Sequence, residues 1–282
     1  MSARVHLVTG KGGTGRTTHA LSLGLAWAAR GLRTLVVELG ADGGLRRAAG
    51  EKPTRCELAS LAADEALHAF LSAHLPSRRL AKVAASNALL ASLFSAAPGT
   101  VEIAQLDAIE RNSREYDRVV IDGEASGHAL LWLELPRTFA GLGAAGVLGQ
   151  RLARIDALLH DPARFVVHAA MIPRALVERE TRMLAEGIEG LGIARGVVLA
   201  SAEPIEASAA SLRLAHHALV GTDAEEDLRY ALAARVRSDA MRDAGACGFS
   251  RSIEVPWLER GADWIERLTA RGEQTARQLE DA

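Results

Sequence analysis

Val5-His6-Leu7-Val8-Thr9 runs directly into Gly10-Lys11-Gly12-Gly13-Thr14-Gly15-Arg16-Thr17-Thr18. The first five residues are a short β-rich run, and the glycines that follow break it. From about Thr17 to Arg30, Leu21, Leu25 and Ala28 recur at helical spacing and predict a helix. Gly31 stops that helix, and Leu35-Val36-Val37 reads as the next strand. The result is a βαβ unit with a glycine-rich loop at its first strand-to-helix turn. Gly10 to Thr17 fits the phosphate-cradling spacing GxxxxGK[ST], except that Arg16 stands at the lysine position. In such a loop the backbone N–H groups and the positive helix N-terminus face an anion. Thr17 supplies a hydroxyl of the kind that ligates Mg²⁺. A glycine turn with no ligand is the bland alternative, and the strand-loop-helix setting argues against it.

Further apolar, strand-like runs appear at Arg118–Ile121, Arg164–Ala170 and Gly196–Ala200, with helical patterns between them. Alternation of this kind predicts an α/β fold: a mostly parallel sheet covered by helices on both faces. The Ala- and Leu-rich stretches at about 53–114 and 130–162 read as helical insertions at strand ends. No linker or internal repeat separates them, so residues 1–282 read as one domain.

The chain has 282 residues, 49% of them apolar, enough for a large core. Lys+Arg 33 against Asp+Glu 35 gives a net charge of −2, which argues against a nucleic-acid partner. Lysine occurs only at 11, 52 and 82. Cys56 and Cys247 are the only cysteines and lie far apart, so neither a disulfide framework nor a cysteine-based zinc site is expected. The N-terminus shows no signal-peptide pattern, and Val83–Val101 is too interrupted for a membrane span. A soluble, cytoplasmic protein is the expectation, with any membrane contact indirect.

The scarcity of lysine draws attention to Lys11. Gly10-Lys11-Gly12-Gly13-Thr14-Gly15-Arg16-Thr17-Thr18 resembles the deviant Walker A loop of the ParA/MinD and arsenite-pump (ArsA) group of P-loop ATPases, in which a signature lysine follows the first glycine. Tyr116 to Asp122, followed by Gly123-Glu124-Ala125-Ser126-Gly127-His128, resembles the YDxVVxDTAPTGHT segment of ArsA-type ATPases and of their relative that targets tail-anchored membrane proteins. Leu133-Glu134-Leu135-Pro136, Met171-Ile172-Pro173 with Glu178-Arg179-Glu180-Thr181, and Val255-Pro256 with Glu259-Arg260-Gly261 continue that pattern in order. The closest resemblance is to the short bacterial ArsA-like proteins. It implies ATP and Mg²⁺ as ligands. Gly10, Lys11, Gly12, Gly13, Thr14, Gly15, Arg16, Thr17, Thr18 and Ser201 would bind nucleotide, with Thr17 and Asp122 on the metal. It also implies a nucleotide-dependent dimer, a homodimer or a heterodimer with an intact paralogue, in which Lys11 acts in trans and Arg16 replaces the loop lysine.

Several positions depart from the family pattern. Gly40 stands where the resemblance places a catalytic aspartate. Asp42 and Glu124 are the two carboxylates that stand as replacements, whereas Glu38 points toward the buried strand. Glu124 has four open readings: a substitute base, a partner for Arg16, a charge that repels ATP, or a solvated loop residue. Ser201 stands where an adenine-reading asparagine is usual, and the family's zinc-binding cysteine pair is missing. A lost water-orienting group costs about 10²–10⁴ in rate, whereas a backbone cradle survives such changes. Two functions follow: an ATP-binding subunit with impaired hydrolysis, regulatory within a dimer, or an active ATPase coupled to a membrane-protein or anion cargo. His19, His68, His74, His160, His168 and His216-His217 show no metal-ligand spacing, and the four tryptophans are too dispersed to form a stacking platform. Asn87–Phe94 and Thr138–Gln150 read as apolar helices facing the core.

Overall fold

The computed structural model describes residues 4–40, 43–51, 53–74, 99–141, 146–202, 207–243, 247–256, 258 and 261–280. Asp42, Glu259, Arg260 and the Asn87–Phe94 run lie outside the described residues. The strands are β1 (Val5–Gly10), β2 (Thr34–Leu39), β3 (Glu57–Leu61), β4 (Arg118–Asp122), β5 (Phe165–Met171), β6 (Arg195–Ala202) and β7 (Arg251–Pro256). The helices are α1 (Arg16–Ala29), α2 (Gly44–Ala49), α3 (Ala63–His74), α4 (Thr100–Glu115), α5 (Ser126–Gly141), α6 (Gly146–Leu159), α7 (Ala175–Leu191), α8 (Ala209–Ala218), α9 (Glu225–Asp243) and α10 (Trp264–Glu280).

The strands form one sheet in the order β3-β2-β4-β1-β5-β6-β7, and every pairing is parallel. Successive side chains of a strand point to opposite faces, and the two cores follow that rule. Val5, Leu7, Leu35, Val37, Val119 and Ile121 face a layer built from α4, α5, α6 and α7. Val8, Val36 and Val120 face α1, α2 and α10. This is the α/β architecture that the alternation of apolar runs predicts.

Two parts of that prediction need correction. The stretch from 53 to 114 begins with β3, an edge strand paired with β2, before any helix. The stretch from 130 to 162 belongs to the layer that covers the sheet, because Trp132, Leu133, Leu152, Ile155 and Leu158 are core residues. A parallel sheet must be covered on both faces, and these helices supply one of the covers. The opposite cover is close-set: Ser22 Oγ of α1 donates to Leu268 O of α10 at 2.8 Å.

Beneath α1, His6 of β1 and His168 of β5 are buried and hydrogen-bonded, His6 Nδ1 to His168 Nε2, at 3.0 Å. The Val197 N–H of β6 donates to His168 Nδ1 at 3.2 Å.

Candidate functional site

Parallel strands gather their carboxyl ends at one edge, where ligands of open α/β sheets bind. Here β1, β2 and β4 deliver Gly10, Gly40 and Asp122 to that edge. In the register Val8 lies beside Asp122, and Glu38 lies beside Asp122 on the other side. Gly10 has φ +148°, and a Cβ there would lie 2.3 Å from Ala170 O, so the strand passes β5 too closely for any side chain. The loop then rises to α1. Thr14 is buried, and its hydroxyl donates to Lys11 O at 2.8 Å, folding the loop on itself.

The side chains of Lys11, Arg16 and Thr17 are placed differently. Lys11 Nζ forms an ion pair with Glu180 Oε1 of α7, both about one-third exposed. Arg16 Nη1 donates to Gly123 O at 2.7 Å, just beyond β4. The side chain of Thr17 hydrogen-bonds to Asp122, whose carboxyl is pushed up to about 6. Burial is the main cause; Thr17 and the Arg16 charge oppose it, and Glu38 adds to it. A buried carboxylate beside a hydroxyl is a hard-oxygen donor set that suits Mg²⁺, and a divalent cation would reverse the cost of burying that charge. The donor set therefore fits the metal. Thr18 O faces the opposite side and accepts from Arg271 Nη2 of α10 at 3.4 Å.

Ser201, at the end of β6, is 8% exposed, and its hydroxyl is within 2.9 Å of His19 Nε2 behind Gly15. Burial and the nearby Arg271 charge hold His19 neutral, with its pKa lowered to about 3. Neither His19 nor Arg271 carries a sequence signal of its own; only the packing of α10 on α1 reveals them.

Among the described residues, the glutamates near Gly40, Glu38 and Glu124, have partners. Glu38 is buried and accepts the Gly44 and Leu45 N–H groups at 2.7 and 3.3 Å, capping α2. Glu124 does not pair with Arg16: its Oε2 lies 3.1 Å from His128 Nδ1, and its backbone oxygen accepts from Thr9 Oγ1 at 2.6 Å. The one-turn spacing on the start of α5 brings that glutamate and histidine together. Gly40 has φ +108°, and a Cβ there would meet nothing within 4 Å. Its carbonyl accepts from Ser60 Oγ of β3. Among the described residues no group of three or more His, Cys, Asp and Glu is arranged to hold a metal, and no helix is long and apolar enough to cross a membrane.

A family profile described as "Anion-transporting ATPase" matches residues 3–144, half of the chain, from β1 past the end of α5. The chain belongs to this ATPase family. Among curated relatives, ATPase BagA of Mycobacterium tuberculosis strain H37Rv is 25% identical over 222 residues, 70% of this chain and 64% of the relative. A Mycobacterium bovis protein named as an ATPase matches to the same extent. The chain thus spans less than two thirds of the length of the curated relatives it matches. The family assignment brings ATP binding and hydrolysis as the family's general chemistry, with Mg²⁺ as its usual metal. The profile covers the glycine loop and the segment after β4, the two stretches that build the edge described above.

Proposed function

We propose that this chain is an ATP-binding subunit whose own hydrolysis is impaired and which acts within a nucleotide-dependent dimer. Gly10 to Thr18 supply the cradle through their backbone N–H groups. Thr17 and Asp122 would hold Mg²⁺, which supplies charge neutralisation at the phosphates. Arg16 contributes a guanidinium where the loop pattern has a lysine, and its planar fork does not reproduce a compact ammonium. Lys11, released from Glu180, would reach the partner's nucleotide, the partner being a second copy or an intact relative.

The observation that carries the reading is the state of the carboxylates at the ends of β2 and β4. Gly40 brings none, Glu38 is spent on the N–H groups of Gly44 and Leu45, and Glu124 is paired with His128. With Asp122 given to the metal, none is left among the described residues to orient a water in line with a phosphoryl group. Loss of such a group costs about 10²–10⁴ in rate.

A second reading, an active ATPase that couples turnover to a membrane-protein or anion cargo, draws on one feature: Glu124 and His128 form an acid-imidazole pair on the segment after β4. Calorimetry with Mg-ATP and a turnover assay on the same samples, with Lys11→Ala and Arg16→Ala variants, separate the two. Binding that weakens in Arg16→Ala, without turnover, supports the impaired subunit. Robust turnover of the chain alone, unaffected by Lys11→Ala, overturns it.

A further inference from the structure

Beyond the end of β2, on the side away from α1, lies a cavity of about 580 Å³. That volume is in the range of sites that enclose drug-sized ligands. Leu39, Ala63, Trp132 and Leu135 give it apolar walls contributed by β2, α3 and α5, and the start of α4 closes one side. Leu131, 60% exposed, stands at its mouth.

The polar groups of the lining are unbalanced. Most of the side-chain donors are already engaged. Trp132 Nε1 donates to Gln105 Oε1 at 3.3 Å, and Gln105 Nε2 to Leu61 O at 2.9 Å. Thr138 Oγ1 donates to Glu134 O at 3.3 Å, and His128 Nδ1 faces Glu124. The carboxylates of the lining are less engaged: among the described residues only Glu124 is held, by His128. Glu102, Glu124 and Glu134 all line the cavity, and neither Glu102 nor Glu134 has an ion-pair partner among the described residues. No lysine or arginine is among the described lining residues. An anion entering here would find few free donors and, beside the Glu124–His128 pair, two carboxylates without an ion-pair partner among the described residues. A polar neutral molecule would have to leave its own donors and acceptors largely unmatched on apolar walls. A cation with an apolar body meets both demands, because the walls take the body and the carboxylates take the charge.

We propose that this cavity is a binding site for an amphipathic organic cation: a molecule with one positive charge, such as a quaternary ammonium or phosphonium, on an apolar frame. The cavity shares Gly40, Glu124 and His128 with the sheet edge but includes no residue of the phosphate loop, so cation binding does not rest on the nucleotide reading and is tested on the nucleotide-free protein.

The test uses two probes of the same shape and opposite charge, tetraphenylphosphonium and tetraphenylborate, titrated calorimetrically into the full chain. The phosphonium is expected to bind at micromolar concentration and the borate at least about tenfold more weakly. Glu102→Gln with Glu134→Gln should weaken the phosphonium about tenfold and leave the borate unchanged or tighter. Ala63→Trp, at an exposed position on the rim, should weaken it about tenfold or more by occupying the cavity. Circular dichroism melts of both variants, expected to match the parent, keep the result separate from unfolding. Equal affinity for the two probes, or phosphonium binding unmoved in both folded variants, would overturn the proposal, as would no phosphonium binding at all.

Discussion

Two regions of this molecule bury arginines with carboxylates, and they handle the charges in opposite ways. In the seam between α4 and α6, Asp107 and Glu110 are almost wholly buried. Arg151 of α6 donates to Asp107 Oδ1 at 2.7 Å and to Glu110 Oε2 at 3.1 Å. Arg111 takes Asp107 Oδ2 at 3.0 Å, and Arg114 takes Glu110 Oε1 at 2.9 Å. All four carboxylate oxygens thus have a guanidinium. At the sheet edge, Asp122 has only the Thr17 side chain and the charge of Arg16, whose fork is turned to Gly123 O, while Glu38 lies on the neighbouring strand. Its carboxyl is accordingly pushed up to about 6. A closed network holds two helices together; an open one keeps a charge deficit that a ligand can fill.

The contrast is broken most severely from the closed side. Arg151→Met leaves two buried carboxylates with only their half-exposed partners, and should cost about 3–5 kcal/mol in urea unfolding. A variant within 1 kcal/mol of the parent would show that Arg111 and Arg114 suffice. Acid probes a third kind of site, the buried histidines. Burial lowers His168 to about 4, and it lowers His19 further, to about 3. A lowered histidine pKa means that the unfolded chain binds more protons, so stability is full above pH 6.5 and is lost as pH falls toward 4. His168 alone should account for roughly 3 kcal/mol of that loss, removed in a His168→Gln variant when unfolding is followed between pH 7 and 4.

The open side predicts a divided response. Asp122→Asn should weaken Mg²⁺-dependent nucleotide binding by about 10- to 100-fold, read by calorimetry. The same change should stabilise the ligand-free protein at neutral pH. The sign follows from the raised pKa: the stability tied to this carboxyl is full below pH 3.8 and lost as pH rises through about 6. Asparagine never bears that charge. In the parent, Mg²⁺-nucleotide affinity should fall as pH drops through 6, and a flat profile would remove Asp122 from the metal. The smallest effect belongs to the exposed pair. Glu124→Gln, which breaks the contact with His128, should change stability by less than about 1 kcal/mol. If it also abolishes turnover in a preparation that hydrolyses ATP, the impaired-subunit reading falls.

How much of this was legible in the sequence depended on range. β1, the glycine loop, α1 and β2 follow one another within forty residues, and their periodicities change where the structure changes. β3 and β7 escaped because edge strands need no continuous apolar run. Glu57–Leu61 is half-exposed throughout, and Arg251–Pro256 alternates buried Ile253 and Val255 with exposed Glu254. Pro256 ends β7, at the sheet margin where a missing N–H is tolerated. Within the site, Thr17 was suggested by the spacing of the loop, and Asp122 only by the resemblance of its segment to the family pattern. Glu180 lies 169 positions from Lys11, and nothing in either neighbourhood announces their ion pair. Of the readings open for Glu124, the pairing with Arg16 is not formed, and a single helical turn sets the half-exposed carboxylate beside His128 instead.

The paired histidines beneath α1 have a consequence in the order of their protons. Because the Val197 amide donates to His168 Nδ1, the neutral ring must carry its proton on Nε2 and donate it to His6 Nδ1. His6 then carries its own proton on Nε2. The chain from the β6 backbone through β5 to β1 therefore runs in one direction, and each accepting nitrogen along it is occupied. An extra proton on either accepting nitrogen sets two donors face to face, which breaks the Val197–His168 or the His168–His6 hydrogen bond. Acid should therefore loosen the central sheet at β5, directly behind the glycine loop.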